Sequence, residues 1–141
     1  MTRMKKILFV DDDRDFLKSQ SIFFRGRGYE VLTAENGEEA LQCLQTETPD
    51  IIFLDLMMEH FDSGFSLSHQ IRQQERLKRI PLIMLSGVAS ATGRRFDQSQ
   101  EELRKWSKVD AFVDKPVTGK QLLKIVEEKL GTASQPKQDG R

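Results

Sequence analysis

The sequence predicts an α/β protein in which five parallel strands form a doubly wound sheet with helices on both faces. Five short apolar segments alternate with five segments of helical periodicity, which is the pattern of strands joined by crossover helices. The strand segments are continuous runs such as ILFV, IIFL and LIML. Continuous runs are typical of strands that are covered on both faces.

The predicted strands span residues 5–10, 29–34, 51–54, 81–85 and 111–113. The predicted helices span residues 14–27, 38–46, 65–77, 98–107 and 118–130. In the first helix, Phe16 and Phe23 lie seven positions apart on one face, and Gly28 follows where a helix would end. Asn36 begins a turn before the second helix, and Pro49 leads the chain into the third strand.

In the second half of the chain, Leu67 and Ile71 supply the inward face of the third helix. The charged run Arg72–Arg79 is predicted to be a solvated helix face. Asp13 and Thr118 are placed to cap the first and last helices. The first, third and last helices are therefore predicted from an apolar stripe, a cap or both.

Composition bounds the possible functions. The chain has 22 Lys and Arg against 22 Asp and Glu, so its charge favours neither nucleic acid nor a membrane as a direct partner. The apolar runs are too short to span a bilayer, and MTRMKK is not followed by a secretory signal. The single Cys43 allows no internal disulfide. We expect a cytoplasmic protein with one domain over residues 1–131 and a disordered polar tail over 132–141.

Acidic, hydroxyl and basic groups follow four of the predicted strands. They are Asp11, Asp12 and Asp13 after the first strand, Asp55 after the third, Ser86 after the fourth and Lys115 after the fifth. In open α/β sheets, ligands bind at the carboxyl ends of the strands. We expect the strand order 2-1-3-4-5, in which the first and third strands are neighbours, so Asp11, Asp12 and Asp55 would share one pocket. Three carboxylates and one ammonium leave a formal charge of −2, which predicts a Mg²⁺ site.

The segments VDDD, FLDLMM, MLSG and VDKP resemble the receiver domain of two-component response regulators, over about residues 4–130. The resemblance implies a stand-alone, chemotaxis-regulator-like receiver with a flavodoxin-like fold. It implies that Asp55 accepts a phosphoryl group from a phosphohistidine of a histidine kinase or histidine phosphotransfer protein. It also implies that Mg²⁺ is held by Asp11, Asp12, Asp55 and the backbone carbonyl of Met57.

The same resemblance implies supporting roles. Lys115 and the Ser86 hydroxyl would contact phosphoryl oxygens, and Pro116 would follow a cis peptide that aims the lysine. Phe112 would be the switching aromatic that changes a face recognised by a downstream protein. The protein would then be a signalling phospho-acceptor that catalyses only its own phosphorylation and slow dephosphorylation, rather than an enzyme with a separate substrate.

The sequence departs from the family pattern in two regions. Glu59 stands where the family commonly has proline, and the segment 87–109 is longer than usual. We expect that longer segment to form a partner-specific surface. Met57 and Val88 are apolar at positions where polar groups help to orient water, which predicts slow self-dephosphorylation.

Two alternatives remain at this point. A haloacid-dehalogenase-like phosphatase would use Asp11 as the nucleophile and Asp13 as the acid/base, because VDDD contains D-x-D and MLSG supplies an apolar run ending in serine. That family needs a later acidic pair at a strand end, whereas Glu127 and Glu128 fall within a predicted helix. A phosphorylation-independent adaptor would leave the complete set of acids, serine and lysine without a role.

Overall fold

The structure is a computed structural model that describes residues 4–55, 63–86 and 109–131. Its strands are β1 (Lys6–Val10), β2 (Glu30–Ala34), β3 (Ile51–Asp55), β4 (Leu82–Ser86) and β5 (Ala111–Asp114). Its helices are α1 (Arg14–Arg25), α2 (Gly37–Thr46), α3 (Ser63–Arg72) and α4 (Gly119–Leu130). All strand pairs are parallel, in the order β2-β1-β3-β4-β5. The predicted fold class and strand order are confirmed, and the helix predicted over 98–107 lies outside the described residues.

Two apolar clusters cover the two faces of the sheet. Under α1 and α4 the strands contribute Ile7, Phe9, Ile51, Phe53, Ile83 and Leu85. Under α2 and α3 they contribute Leu8, Val10, Ile52, Leu54, Leu82 and Met84. Successive side chains point to opposite faces, so a strand that is covered on both faces needs apolar residues at every position. This is why the sequence shows continuous rather than alternating apolar runs.

Side-chain caps fix where α1, α2 and α4 begin. The Asp13 carboxylate accepts a hydrogen bond from the backbone N–H of Phe16 (3.1 Å), which confirms the predicted cap of α1. Asn36 caps α2 in the same way through the N–H of Glu39 (2.8 Å). Thr118 caps α4, as predicted, in a capping box. Because each cap lies directly before its helix, it also sets where the loop after the preceding strand ends.

The first helix ends earlier than predicted. It stops at Arg25 rather than at residue 27, because Gly28 adopts φ +90° and turns the chain. The N–H of Tyr29 then donates to the carbonyl of Phe24 (3.1 Å) and leads into β2. A positive φ is easily adopted only by glycine, so the reversal falls at this residue.

The prediction of one helix over 65–77 is wrong. Helix α3 ends at Arg72, and a short 3-10 turn follows at Glu75–Leu77. The predicted solvated face is also wrong at its first residue, because the side chain of Arg72 is only 12% exposed. Its guanidinium donates to the carbonyls of Leu77 (3.2 Å) and Ile80 (2.8 Å), so the chain folds back over its own helix end.

Candidate functional site

The carboxyl ends of β1, β3 and β5 bring two acids and a lysine together. Asp11 follows β1, and its N–H donates to the carbonyl of Ala34 at the end of β2 (3.0 Å). Asp55 is the last residue of β3. Lys115 follows β5, and its backbone N–H donates to the carbonyl of Ser86 at the end of β4 (2.7 Å). The sheet backbone therefore holds both Asp11 and Lys115 through hydrogen bonds to neighbouring strands.

Asp11 is almost fully buried and uses both of its carboxylate oxygens. One oxygen accepts a hydrogen bond from the N–H of Asp13 (2.9 Å), and the other accepts one from the Lys115 ammonium (3.0 Å). Asp55 is also buried, and its Oδ1 lies 3.9 Å from the same ammonium. Buried carboxylates are stable only where charges and hydrogen bonds compensate them, and Lys115 supplies much of that compensation here.

Asp11, Asp12 and Asp55 form an acidic cluster. Each offers one carboxylate oxygen, and these oxygens lie within 4.8 Å of one another. Asp12 is exposed, whereas Asp11 and Asp55 are buried, so the cluster opens to solvent on one side. An all-carboxylate set is the chemistry that hard cations such as Mg²⁺ prefer. The neighbouring Asp13 side chain is engaged in capping α1.

Lys115 is held in its charged form. Burial by itself lowers the pKa of this lysine. The hydrogen bond to Asp11 and the charges of Asp11, Asp55 and Asp13 raise it by more than burial lowers it, so the pKa lies above its ordinary value of 10.5. The ammonium also lies 4.9 Å from the centre of the Phe16 ring. The Lys115-Pro116 peptide is cis, as predicted. At neutral pH the pocket therefore contains a permanent cation.

Ser86 and Phe112 belong to β4 and β5, respectively. Ser86 is fully buried at the end of β4, at the same edge of the sheet. Phe112 is partly buried and packs against the cluster under α2 and α3, opposite Met84 in the strand register. The remaining predicted positions lie outside the described residues: Met57, Glu59, Val88 and nearly all of the segment 87–109.

Phe16 was not identified as a site residue from the sequence. The sequence placed it on the core face of the first helix, and the structure shows it beside Lys115 as well. It lies three residues after the cap Asp13, in the first turn of α1. A helix that follows a strand end turns its first residues toward the pocket at that end, and this was the available signal.

The chain belongs to the response regulator receiver domain family, whose model matches residues 7–127. It is 42% identical over 82 residues to the alkaline phosphatase synthesis transcriptional regulatory protein PhoP of Bacillus subtilis. Those 82 residues cover 58% of this chain and 33% of that protein. It is 24% identical over 129 residues to the polar-differentiation response regulator DivK of Brucella anthropi, which covers 92% of this chain and 98% of that protein. Among solved structures it resembles the chemotaxis response regulator CheY4 of Vibrio cholerae, with a TM-score of 0.78, 29% identity, and coverage of 91% of this chain and 100% of that one.

The chain thus spans about a third of the length of PhoP but nearly all of DivK and CheY4. Within the described part of the chain, no helix is long and apolar enough to cross a bilayer. The phosphatase alternative is not favoured, because the chain is a receiver domain and the side chain of Asp13, its required acid/base, caps a helix.

Proposed function

We propose that this protein is a phospho-acceptor in a two-component phosphorelay and that Asp55 receives the phosphoryl group. The observation that supports this most directly is the position of Asp55. It lies at the end of a central strand, 3.9 Å from a buried ammonium and in one cluster with Asp11 and Asp12. A nucleophilic carboxylate needs that arrangement, because it must approach a phosphoryl group that is itself anionic.

In the proposed reaction, a carboxylate oxygen of Asp55 attacks the phosphorus of a donor phosphohistidine. The new P–O bond forms as the P–N bond breaks, and the imidazole of the donor keeps the electron pair. Lys115 lies next to Asp55 and would offset charge on one phosphoryl oxygen. The hydroxyl of Ser86 would contact another.

Asp11, Asp12 and Asp55 would hold Mg²⁺, together with the backbone carbonyl of Met57. The fit rests on the donor chemistry, since the cluster consists of carboxylates alone. The bound ion would supply positive charge to the transferring phosphoryl group. The Lys115 ammonium, 3.0 Å from Asp11 and 3.9 Å from Asp55, offsets part of the negative charge of these two carboxylates from within the protein.

The proposed role defines an upstream and a downstream partner. The upstream partner would be a histidine kinase or a histidine phosphotransfer protein in the cytoplasm, and the downstream partner a protein that recognises the phosphorylated form. Ser86 and Phe112 would carry the signal between the site and that partner. We place the receiver domain at residues 1–131 and the polar tail at 132–141.

Intact-mass measurement after incubation with Mg²⁺ and acetyl phosphate tests this proposal. The wild type should gain one phosphoryl group, Asp55→Asn should gain none, and Asp13→Asn should behave like the wild type. Labelling that survives in Asp55→Asn and disappears in Asp11→Asn would instead identify Asp11 as the nucleophile. A wild type that gains no label from either acetyl phosphate or a phosphorylated histidine phosphotransfer protein would support the adaptor.

A further inference from the structure

Phe16 forms one wall of the space around the Lys115 ammonium. Nζ lies 4.9 Å from the ring centre, within the ~6 Å over which a cation is attracted to an aromatic face. The same nitrogen is 3.0 Å from Asp11 and 3.9 Å from Asp55. Two carboxylates and one ring therefore lie around this ammonium.

The Phe16 ring is held in place by other aromatic rings of the core. It packs edge-on against Phe9, with 6.3 Å between ring centres, and Phe9 stacks on Phe53 at 5.1 Å. Both of those rings are fully buried in the sheet. The backbone of Phe16 is held by its hydrogen bond to the capping side chain of Asp13. The aromatic wall is therefore anchored to β1, β3 and the start of α1, all of which lie next to the site.

Lysine needs such an anchor because its four-carbon stem is flexible and its ammonium attracts water strongly. We propose that Phe16 is a positioning residue for phosphoryl transfer: its ring face excludes water from one side of the Lys115 ammonium and keeps that ammonium beside Asp55. The inference rests on the proposed function, since it assigns to Phe16 the placement of a group that acts in that reaction.

Leucine at position 16 would keep apolar bulk against Phe9 but would remove the aromatic face. We expect Phe16→Leu to take up phosphoryl groups from acetyl phosphate about two- to fivefold more slowly, the factor that corresponds to a partly exposed cation–π contact. Phe16→Tyr keeps the ring and should recover most of the rate. Phe23→Leu is the matched control, because Phe23 is also partly buried on α1 but its ring lies 4.0 Å from the guanidinium of Arg27.

Two further measurements separate positioning from a general effect on folding. In NMR spectra, the ring current of Phe16 should shift the ε-protons of Lys115 upfield, and this shift should disappear in Phe16→Leu but remain in Phe16→Tyr. In a double-mutant cycle, the unfolding free energies of Phe16→Leu and Lys115→Met should be non-additive. The cycle needs no metal and no phosphoryl donor.

The inference would be overturned if Phe16→Leu kept the wild-type rate or if Phe16→Tyr were as slow as Phe16→Leu. Strictly additive effects of Phe16→Leu and Lys115→Met on the free energy of unfolding would also overturn it. A wild type that takes up no phosphoryl group would contradict the proposed function itself. An active wild type together with an equally fast Phe16→Leu variant would contradict only the role of Phe16.

Discussion

Asp11 and Lys115 form a partly buried ion pair at the candidate site. The carboxylate of Asp11 is 1% exposed and the side chain of Lys115 is 23% exposed, with 3.0 Å between the paired atoms. Breaking an ion pair with one buried partner costs more stability than breaking an exposed pair, because removal of the lysine leaves a buried carboxylate with less compensation for its charge. This interaction should therefore be visible in the stability of the protein.

Lys115→Met should lower the free energy of unfolding by about 1–3 kcal/mol at pH 7, because a buried carboxylate loses a charged hydrogen-bond donor. The pKa of this lysine is raised in the folded protein above its ordinary 10.5. Its contribution is therefore complete below that ordinary value and is lost as the pH rises through the raised value.

Urea unfolding of the wild type and of Lys115→Met between pH 7 and pH 11 measures the difference in their free energies of unfolding. Lys120→Met, at an exposed position of α4, is the matched control and should change little. A stability difference for Lys115→Met that stayed constant up to pH 11 would contradict the assignment.

Among the secondary-structure elements, the junction between α3 and β4 depends on one side chain. Arg72 at the end of α3 donates to the carbonyls of Leu77 and Ile80 and forms an ion pair with Asp110 (3.0 Å). Asp110 in turn accepts a hydrogen bond from the N–H of Leu82 (2.7 Å), at the start of β4. A single arginine thus joins a helix end, the following loop and the entrances of two strands.

Arg72→Met should destabilise the protein by about 2 kcal/mol, because several backbone carbonyls and one carboxylate lose a charged donor together. Arg72→Lys should recover only part of this loss, because an ammonium cannot reproduce the fork of the guanidinium. Arg79→Met, at an exposed position in the same loop, is the control. Shifts in the denaturant midpoint at an unchanged m-value measure these changes in stability. Equal effects of the substitutions at positions 72 and 79 would contradict the role of Arg72.

Elements were predictable from sequence where their determinants are local. Asp13 and Thr118 lie next to the helices that they cap, so both helix starts could be predicted. The end of α3 could not, because the residues after Arg72 remain compatible with a helix and the contact with Asp110 comes from a distant part of the chain. Phe16 was missed for the same reason, since its partner Lys115 follows the last strand.

At the scale of the whole molecule, charge is balanced overall but not locally. The chain carries 22 basic and 22 acidic side chains, yet three carboxylates converge at one edge of the sheet. That convergence was predictable, because parallel strands in the order 2-1-3-4-5 end together whatever the details of their loops. The local excess of acid predicts that a divalent cation stabilises the fold.

Mg²⁺ should raise the free energy of unfolding by about 2.7 kcal/mol at a concentration one hundred times its dissociation constant. Asp12→Asn should lose most of this increase. Without Mg²⁺ it should be as stable as the wild type or slightly more stable, because Asp12 is exposed and its charge is repelled by the other two acids.

Thermal unfolding with and without Mg²⁺ measures both effects. Asp15→Asn, an exposed aspartate in the first turn of α1 and outside the acidic cluster, is the control and should keep the full response to Mg²⁺. A full response to Mg²⁺ in Asp12→Asn would remove this residue from the proposed ligand set.

The hydrogen bond between Lys115 and Asp11 has a consequence for how strongly a metal could bind. The carboxylate oxygen that faces the lysine is already neutralised by an internal counterion. An incoming divalent ion that uses this oxygen shares it with the ammonium, since each carboxylate oxygen has two lone pairs, and the two positive charges repel each other. This repulsion weakens metal binding, so the apparent dissociation constant should fall when the lysine is replaced by a neutral side chain.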